Sequence, residues 1–415
     1  MRAEIIAVGS ELLTSSRMDT NSLFITKKLN ELGIKVMRKL VVGDREEDLQ
    51  AALATALKDS EIVFFTGGLG PTNDDITREV ISQNLGRELT LDGAILKDLK
   101  ARYEKFGLKM TGNNQRQAMV PSGAEPIENP HGSAPGLFFK EKETLVFLLP
   151  GPPRELKPMM IDHVLGLIRE HKKTSRQFFR QLKVASETES RLDSLIGPIY
   201  QDYPSIETTI LASPAIIELF FYWTGKEDKQ LAESLLDELI DRIREKLEKS
   251  IFTDCELSFE EVVGQTLRKK NKTLGTAESC TGGLVGKMIT DVPGSSDYYR
   301  GGVVCYSDQL KIDLVGVNET TLERFGAVSE QVAHQMAEGI RKRTGADIGL
   351  SVTGVAGPGG GTDEKPVGLV FFGLALENGV RVRKLEFPGQ RETIRLRSTR
   401  IALDWMRRVL LFDSF

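Results

Sequence analysis

Short apolar runs alternate with longer amphipathic runs in the first part of the chain, and this alternation limits the possible folds more than any other feature. Strand-like runs lie at Ile5–Gly9, Ile34–Val42 and Glu61–Thr66. Helical runs separate them, one at Asn21–Leu32 behind Asp19 or Thr20 as cap, and one to Lys58 behind Asp44, whose spacing to Glu47 resembles a capping box. Such alternation indicates parallel βαβ units, with ligands at the carboxyl ends of the strands. An α/β fold is therefore expected.

A glycine-rich segment, TGGLGPTNDDIT at residues 66–77, follows the third strand-like run. Gly67, Gly68 and Gly70 can turn the backbone so that its N–H groups surround a phosphate. Asp74 and Asp75, near the expected start of the next helix, could hold a divalent ion that bridges this phosphate. A tight turn in which one aspartate caps the helix also explains these residues, because the segment fits neither the Walker nor the GxGxxG pattern.

A second loop of this kind lies farther along the chain. Leu145–Leu149 is predicted to be a buried strand, and PGPPRE at residues 150–155 follows it. Gly151 gives a rigid turn, and Arg154 offers a guanidinium suited to phosphate. We therefore assign both residues to substrate binding and expect Gly132–Gly136 to line the same crevice.

Length, charge and cysteine usage bound the class of protein. At about 150 residues per domain, a chain of 415 residues is expected to form about three domains. The formal net charge of −4 gives no general basic field for nucleic acid. No apolar run approaches the length of a membrane span, and the three scattered cysteines are typical of reduced thiols, so a cytoplasmic protein without a membrane partner is expected.

The TGGLGPTNDDIT segment, the GSELL run at Gly9–Leu13 and the LPGPPRE run together resemble the molybdopterin-binding-like domain of the CinA family. The resemblance implies a three-layer α/β domain over residues 1–172 that hydrolyses ADP-ribose with a divalent metal (Mg, Co or Mn) and is stimulated by potassium. It assigns phosphate contacts to Gly67, Gly68, Gly70 and Thr72, and metal or water placement to Asp74 and Asp75. A nucleotide- or pterin-binding scaffold or sensor without pyrophosphatase activity is the alternative, because the fold also serves only to bind ligands.

The middle of the chain, residues 174–254, is predicted to contain a strand, a helix, two strands and a long amphipathic helix. This order resembles the small α+β KH-type module of full-length family members. A KH domain that binds RNA needs a GxxG loop, and the nearest segment, Gly197–Tyr200, lacks the second glycine. We therefore expect a spacer or a contribution to a homodimer, and no nucleic-acid partner.

A turn between a strand-like run and a helical run carries the reactive side chains of the last segment. Its sequence, GTAESCTGG at residues 275–283, places Ser279, Cys280 and Thr281 just before a helix. Unpaired N–H groups at a helix start can stabilise an oxyanion, and the two glycines let a substrate approach the backbone. Cys280 is the competing nucleophile. The alternative interpretation is an ordinary turn in which Ser279 or Thr281 only caps the helix.

Further polar residues accompany other predicted strands of this segment. Tyr306 and Thr353 are expected at strand ends, and the glycine-rich stretch Gly354–Thr362 follows Thr353. Because no motif contains a histidine, Lys311 or Lys287 is the candidate base for a hydroxyl nucleophile. Arg391 and Arg395 lie one turn apart at the start of the last helix, where they oppose its dipole. A phosphate or carboxylate partner is expected there.

Six strings of this segment resemble, in order, the nicotinamide-nucleotide amidohydrolase domain that ends CinA-family proteins: TAESCTGG, PGSS, VVCYSDQLK, GAVSE, SVTGVAGPGGGTDEKPVG and FPGQR. The resemblance implies an α/β domain over residues 257–415 that hydrolyses nicotinamide mononucleotide to nicotinic acid mononucleotide and ammonia without a cofactor. It makes Ser279 the nucleophile, Lys311 its proton acceptor, and Tyr306 and Thr353 positioning groups. Four residues are assigned to substrate binding, with Ser296 and Arg391 at the phosphate and Thr281 and Gly282 in the turn.

Overall fold

The chain forms two compact units, Met1–Gln177 and Phe178–Phe415. The structure is a computed structural model that describes residues 1–105, 107, 109–171, 178–225 and 229–413. Across these residues, no helix combines the length and the apolar character that a bilayer crossing requires.

The first unit contains a mixed sheet with a parallel centre. Its strands are β1 (Arg2–Val8), β2 (Lys35–Val42), β3 (Ile62–Thr66), β4 (Leu89–Leu91), β5 (Met119–Pro121), β6 (Glu125–Ile127), β7 (Gly136–Glu141) and β8 (Thr144–Leu149). Six of them form one sheet in the order β2-β1-β3-β8-β7-β6, and β4 and β5 pair separately. β1 runs parallel to β2 and β3, and β3 runs parallel to β8. The carboxyl ends of these strands therefore meet at one edge.

Helices cover both faces of this sheet. They are α1 (Asn21–Glu31), α2 (Glu46–Asp59), α3 (Thr77–Asn84), α4 (Gly93–Lys105), α5 (Pro153–Met159) and α6 (Leu165–His171). Ile5 and Phe64 pack into a core with α1, α5 and α6, whereas their neighbours Ile6 and Phe65 pack into a second core with α2 and α3. Successive residues of a strand point to opposite faces, so strands buried on both faces are apolar throughout. The predicted three-layer α/β arrangement is confirmed.

The second unit contains two sheets. Its strands are β9 (Phe179–Ala185), β10 (Ile206–Ser213), β11 (Ile216–Trp223), β12 (Ile251–Thr253), β13 (Leu274–Glu278), β14 (Tyr299–Val304), β15 (Ile348–Gly354), β16 (Leu369–Leu376) and β17 (Gly379–Glu386). The four-stranded sheet has the order β10-β11-β9-β12, and the five-stranded sheet has the order β14-β13-β15-β16-β17. β13 lies between β14 and β15 and runs parallel to both.

The helices of the second unit are divided between these sheets. They are α7 (Glu189–Tyr200), α8 (Lys229–Leu247), α9 (Phe259–Lys269), α10 (Leu284–Thr290), α11 (Asp308–Val315), α12 (Glu319–Phe325), α13 (Glu330–Thr344) and α14 (Arg391–Phe412). α7 and α8 share a core with the four-stranded sheet. On the five-stranded sheet, α9, α10 and α14 share one core and α11, α12 and α13 another.

The middle segment packs against the last helix of the same unit. Its predicted order of strand, helix, two strands and helix is confirmed, while its KH-type relationship stays a prediction. The Ser186 hydroxyl donates to the buried Asp404 carboxylate on α14 at 2.7 Å, and the Arg408 guanidinium donates to the Ala185 carbonyl at 2.7 Å. These contacts join the four-stranded sheet to the helix that begins at Arg391.

Two local predictions are wrong. Asp44 does not cap α2: the cap is Arg45, without a side-chain hydrogen bond, and the Asp44 carboxylate instead accepts the Ser10 backbone N–H at 2.7 Å. Tyr306 does not end a strand, because β14 stops at Val304. Ser307 caps α11 by accepting the Leu310 N–H, and the chain turns away before that helix.

Candidate functional site

The turn Ser279–Gly283, called here the nucleophile turn, follows β13 in the middle of the parallel part of the five-stranded sheet. The Ser279 N–H donates to the Val352 carbonyl on β15 at 2.9 Å, and the Cys305 N–H donates to the Glu278 carbonyl at 2.9 Å. Because both neighbouring chain segments hold the backbone at Ser279, its position is fixed by the sheet rather than by a free loop.

Neither Ser279 nor Thr281 caps α10, which excludes the ordinary capped turn. The cap residue is Gly283, in the left-handed region with φ of 91° and without a side-chain cap hydrogen bond. The buried Glu278 carboxylate instead accepts the N–H groups of Val285 at 3.0 Å and Gly286 at 2.8 Å. The expectation that these helix-start N–H groups are free for an oxyanion is therefore wrong. Among the described residues, the Gly283 N–H donates to no acceptor.

The two candidate nucleophiles differ in their surroundings. The Ser279 side chain is 8% exposed, and no hydrogen bond of its hydroxyl occurs within the described part of the chain. Burial, together with the nearby Glu278 charge, raises the pKa of the Cys280 thiol to about 12. Because the thiolate is the reactive form, Cys280 is inert at neutral pH. The geometry favours Ser279 as the nucleophile.

Two arginines of α14 connect the nucleophile turn to other parts of the site. Arg395 donates to the Thr281 carbonyl at 2.7 Å. Arg391 donates to the Gly357 carbonyl at 2.7 Å and to the Tyr306 hydroxyl at 3.3 Å. The structure thus brings together the nucleophile turn, Tyr306, the glycine-rich stretch after β15 and the start of α14.

Lys311 and Lys287 lie in contrasting environments. The Lys311 side chain is 1% exposed, and its ammonium donates to the Tyr306 carbonyl at 3.1 Å and lies 3.5 Å from an Asp308 carboxylate oxygen. Lys287 is exposed and pairs with Asp291, the residue that follows α10. No hydrogen bond joins Lys311 to Ser279 in the described ranges, so Lys311 is connected to the site through Tyr306.

Four other predicted residues have different placements. Thr353 is fully buried, and its hydroxyl donates to the Ala327 carbonyl at 2.8 Å, a contact that holds a neighbouring loop. Ser296 is exposed in the short 3₁₀ turn Ser295–Asp297. The Thr281 hydroxyl is buried and has no partner among the described atoms. Gly282 has φ of 59°, which a residue with a side chain rarely adopts.

The first unit has its own candidate site, a cleft of about 840 Å³ at the carboxyl ends of its parallel strands. Both glycine-rich loops predicted from the sequence line it: Gly67, Gly68, Gly70, Asp74 and Asp75 from one, and Gly151 from the other. Ser133 and Ala134, from the predicted stretch Gly132–Gly136, also line this cleft. Arg154 is not among its lining residues; its side chain is 80% exposed and lies 3.9 Å from Glu155.

Two arginines hold the first glycine-rich loop by its carbonyl groups. The buried Arg78 donates to the Leu69 carbonyl at 2.8 Å, and Arg116 donates to the carbonyls of Thr72 at 2.7 Å and Asp75 at 3.0 Å. Within the described ranges, the N–H groups of Gly68, Leu69 and Gly70 donate to no protein acceptor. Free backbone N–H groups of a glycine-rich loop are suited to phosphate.

The acidic pair of this loop is only partly available to a metal. The Asp75 carboxylate accepts the Thr72 N–H at 3.0 Å and the Thr72 hydroxyl. Asp74 is exposed, and the nearby Thr72 side chain lowers the pKa of its carboxyl. No group of three or more acidic, histidine or cysteine side chains in the described residues is arranged to hold a metal. Two carboxylates fit Mg²⁺ when phosphate oxygens and water supply the other ligands.

Some residues of both sites were missed by sequence reasoning. Asn21 donates its amide N–H to the Gly151 carbonyl at 2.6 Å, which leaves its buried Oδ1 without a donor; the Gln117 Oε1 is likewise unpaired in the described structure. Both residues line the cleft. Their contacts cross large sequence separations and give no local signal. Glu278 was part of the TAESCTGG string, but its bonds to Val285 and Gly286 depend on the side-chain direction.

Two family profiles match separate parts of the chain, one in each unit. The profile of the CinA C-terminal domain matches residues 256–410, and that of a probable molybdopterin binding domain matches residues 4–170. A crystal structure of a CinA superfamily protein from Klebsiella pneumoniae is 32% identical over 37% of this chain and 98% of its own, with a TM-score of 0.36. Fold, site and profiles define an α/β protein with a molybdopterin-binding-type first unit and a CinA-type C-terminal domain.

Full-length relatives identify the family. A CinA-like protein from Koribacter versatilis is 43% identical over 99% of this chain and 100% of its own. A putative competence-damage inducible protein from Clostridium perfringens is 40% identical over 99% of both chains. The chain belongs to the CinA family.

Proposed function

We propose that the second unit hydrolyses nicotinamide mononucleotide to nicotinic acid mononucleotide and ammonia. The observation that carries this proposal is the convergence of an unpaired serine hydroxyl, a glycine turn and two arginines at the carboxyl edge of one sheet. A hydroxyl nucleophile suits an amide substrate, and guanidinium groups suit its phosphate.

The chemistry assigns one step to each group. The Ser279 oxygen attacks the amide carbon, and Lys311 is the proposed acceptor of its proton. The carbon–nitrogen bond breaks as ammonia leaves with that proton, and water then attacks the acyl ester to release the acid and restore Ser279. Tyr306, which lies between Lys311 and Arg391, positions the substrate. The Gly283 N–H is the candidate donor to the oxyanion.

Arg391 is the candidate for the substrate phosphate. Arginine has five N–H donors, and the contacts to Gly357 and Tyr306 leave others free. Arg395 already holds the Thr281 carbonyl, so we assign it to the turn rather than to the phosphate.

The direct test is to incubate the purified chain with nicotinamide mononucleotide and to quantify ammonia and nicotinic acid mononucleotide together. We expect equal amounts of both products, and no effect of a chelator because no step uses a metal. Cleavage that releases free nicotinamide, or no turnover at all, would contradict the proposal.

For the first unit we propose metal-dependent cleavage of ADP-ribose, supported by the free N–H groups of Gly68, Leu69 and Gly70 in the cleft. Asp74 and Asp75 would hold a divalent ion (Mg, Co or Mn), which would neutralise charge on the pyrophosphate. The unpaired acceptors of Asn21 and Gln117 favour a ligand with hydroxyl groups, because a buried acceptor without a donor costs free energy.

The test for this second activity combines cleavage with binding. We expect AMP and ribose 5-phosphate from ADP-ribose with Mg²⁺, stimulation by potassium, and no products with a chelator. Tight binding of ADP-ribose or of a pterin without cleavage would instead support the nucleotide- or pterin-binding scaffold or sensor.

A further inference from the structure

Glu278 is a buried carboxylate next to the proposed nucleophile, and the reaction steps above do not use it. Its side chain is 2% exposed, and no lysine or arginine pairs with it in the described part of the chain. A buried charge without an opposite charge is costly unless hydrogen bonds compensate it. The two N–H groups of Val285 and Gly286, at the positive end of α10, provide that compensation.

These two hydrogen bonds close a ring around the nucleophile turn. The backbone runs from Glu278 through Ser279–Gly283 into α10, and the Glu278 carboxylate binds the N–H groups of Val285 and Gly286. Inside the ring, the Gly282 N–H donates to the Ser279 carbonyl at 3.1 Å. The turn therefore cannot open without breaking a bond to the carboxylate.

The absence of a side chain at Gly286 leaves room for the Tyr299 hydroxyl near the carboxylate. A Cβ at Gly286 would lie 2.8 Å from the Tyr299 hydroxyl and 3.6 Å from a Glu278 carboxylate oxygen. The Tyr299 hydroxyl is held in turn by the Thr276 hydroxyl at 2.7 Å. Glu278 is thus held between the start of α10 and the Tyr299 side chain.

We propose that Glu278 is a positioning residue for Ser279 whose charge also makes the site bind the carboxylate product less tightly than the neutral amide substrate. The inference rests on the proposed amidase. A fixed negative charge with little water around it repels a carboxylate formed nearby, whereas the amide carries no charge. Glu278 would thereby promote release of nicotinic acid mononucleotide after each turnover.

Two variants separate position from charge. Glu278→Gln removes the charge and places an NH₂ group against a backbone N–H donor, so we expect kcat to fall about 10- to 100-fold. It should also lower the product inhibition constant about tenfold relative to the KM for nicotinamide mononucleotide. Glu278→Asp keeps the charge but shortens the side chain. It should lower kcat while the ratio of product to substrate affinity stays near the wild-type value.

A readout without substrate keeps this inference distinct from the amidase proposal. In a Cys255→Ser background, which removes the exposed cysteine, alkylation of Cys280 should be faster in Glu278→Gln than in the parent, because the turn opens more often. If the wild type has no amidase activity but alkylation follows this order, the proposed function fails and the positioning role stands. Unchanged alkylation and kcat in Glu278→Gln, or equal weakening of substrate and product, would overturn the inference.

Discussion

The two units present a glycine-rich turn after a central parallel strand in opposite ways. In the first unit, arginines hold the carbonyls of Leu69 and Thr72, and the N–H groups of Gly68–Gly70 have no acceptor in the described part of the chain. In the second unit, Glu278 accepts the N–H groups of Val285 and Gly286 at the start of α10, and the Ser279 hydroxyl has no partner among the described residues. Free N–H groups provide a phosphate cradle, whereas occupied ones fix a side chain. Under the proposed functions, a strand–turn–helix unit would serve binding in the first unit and nucleophile presentation in the second.

The strongest test of this contrast is to remove the proposed nucleophile. Ser279→Ala should lower kcat/KM for nicotinamide mononucleotide at least about 10³-fold, because no other activated nucleophile lies in the turn. Cleavage of ADP-ribose should not change. Cys280→Ala is the matched control and should lose less than about tenfold, because the Cys280 pKa of about 12 keeps its thiol protonated. Undiminished ammonia release by Ser279→Ala would show that the turn of the second unit does not present the nucleophile at Ser279.

The reciprocal test removes charge from the first loop. Asp74→Asn and Asp75→Asn should each lower ADP-ribose cleavage about 100-fold, because the amide binds a divalent ion poorly, and amidase activity should persist. An asparagine at position 75 can still accept from Thr72, so the loop conformation should be retained. Asp98→Asn, on the exposed side of α4, is the control. Full cleavage of ADP-ribose by either loop variant would contradict metal binding by that aspartate.

A smaller effect is expected from the arginine assigned to phosphate. Arg391→Ala should raise the KM for nicotinamide mononucleotide about 10- to 100-fold, because a guanidinium–phosphate contact is lost. Arg397→Ala, farther along the same helix, loses only a 3.2 Å contact to the Pro388 carbonyl and should leave KM unchanged. Steady-state kinetics on both variants checks this. A larger change in kcat than in KM for Arg391→Ala would place Arg391 in the chemical step instead.

The smallest effect concerns alkaline stability, which should differ between the units because all three cysteines lie in the second. Burial raises the Cys280 pKa from 9.0 to about 12, so the folded chain holds this proton more tightly than the unfolded chain. The resulting stabilisation is complete below pH 9.0 and is lost as the pH rises towards 12. Cys280→Ala should therefore reduce the pH slope by up to about 1.4 kcal/mol per pH unit.

Tryptophan fluorescence during urea unfolding reports this effect selectively, because both tryptophans, Trp223 and Trp405, belong to the second unit. The pH dependence of the unfolding free energy should differ between wild type and Cys280→Ala only above the ordinary thiol pKa. Identical slopes up to about pH 10 would show that folding does not raise the Cys280 pKa, and Cys280 would again be a candidate nucleophile.

The sequence predicted the local elements of both sites, because strand, turn and helix signals are local. β13 and α10 enclose the nucleophile turn nearly as expected, and β3 leads into the glycine loop. Side-chain contacts between distant segments were not predictable. The bond from Arg391 to Tyr306 and the contact from Thr353 to Ala327 both depend on how the layers pack. Asp44 was misread for the same reason: its partner, Ser10, lies in another loop.

The most direct test of the central claim is to trap the acyl intermediate on the second unit. The chain is quenched with acid during turnover of nicotinamide mononucleotide, digested and examined by mass spectrometry. We predict an ester adduct on Ser279 that persists in Cys280→Ala and is absent in Ser279→Ala. An adduct on Cys280 that hydroxylamine removes as a thioester, or turnover by Ser279→Ala at the wild-type rate, would contradict the assignment of Ser279 as the nucleophile.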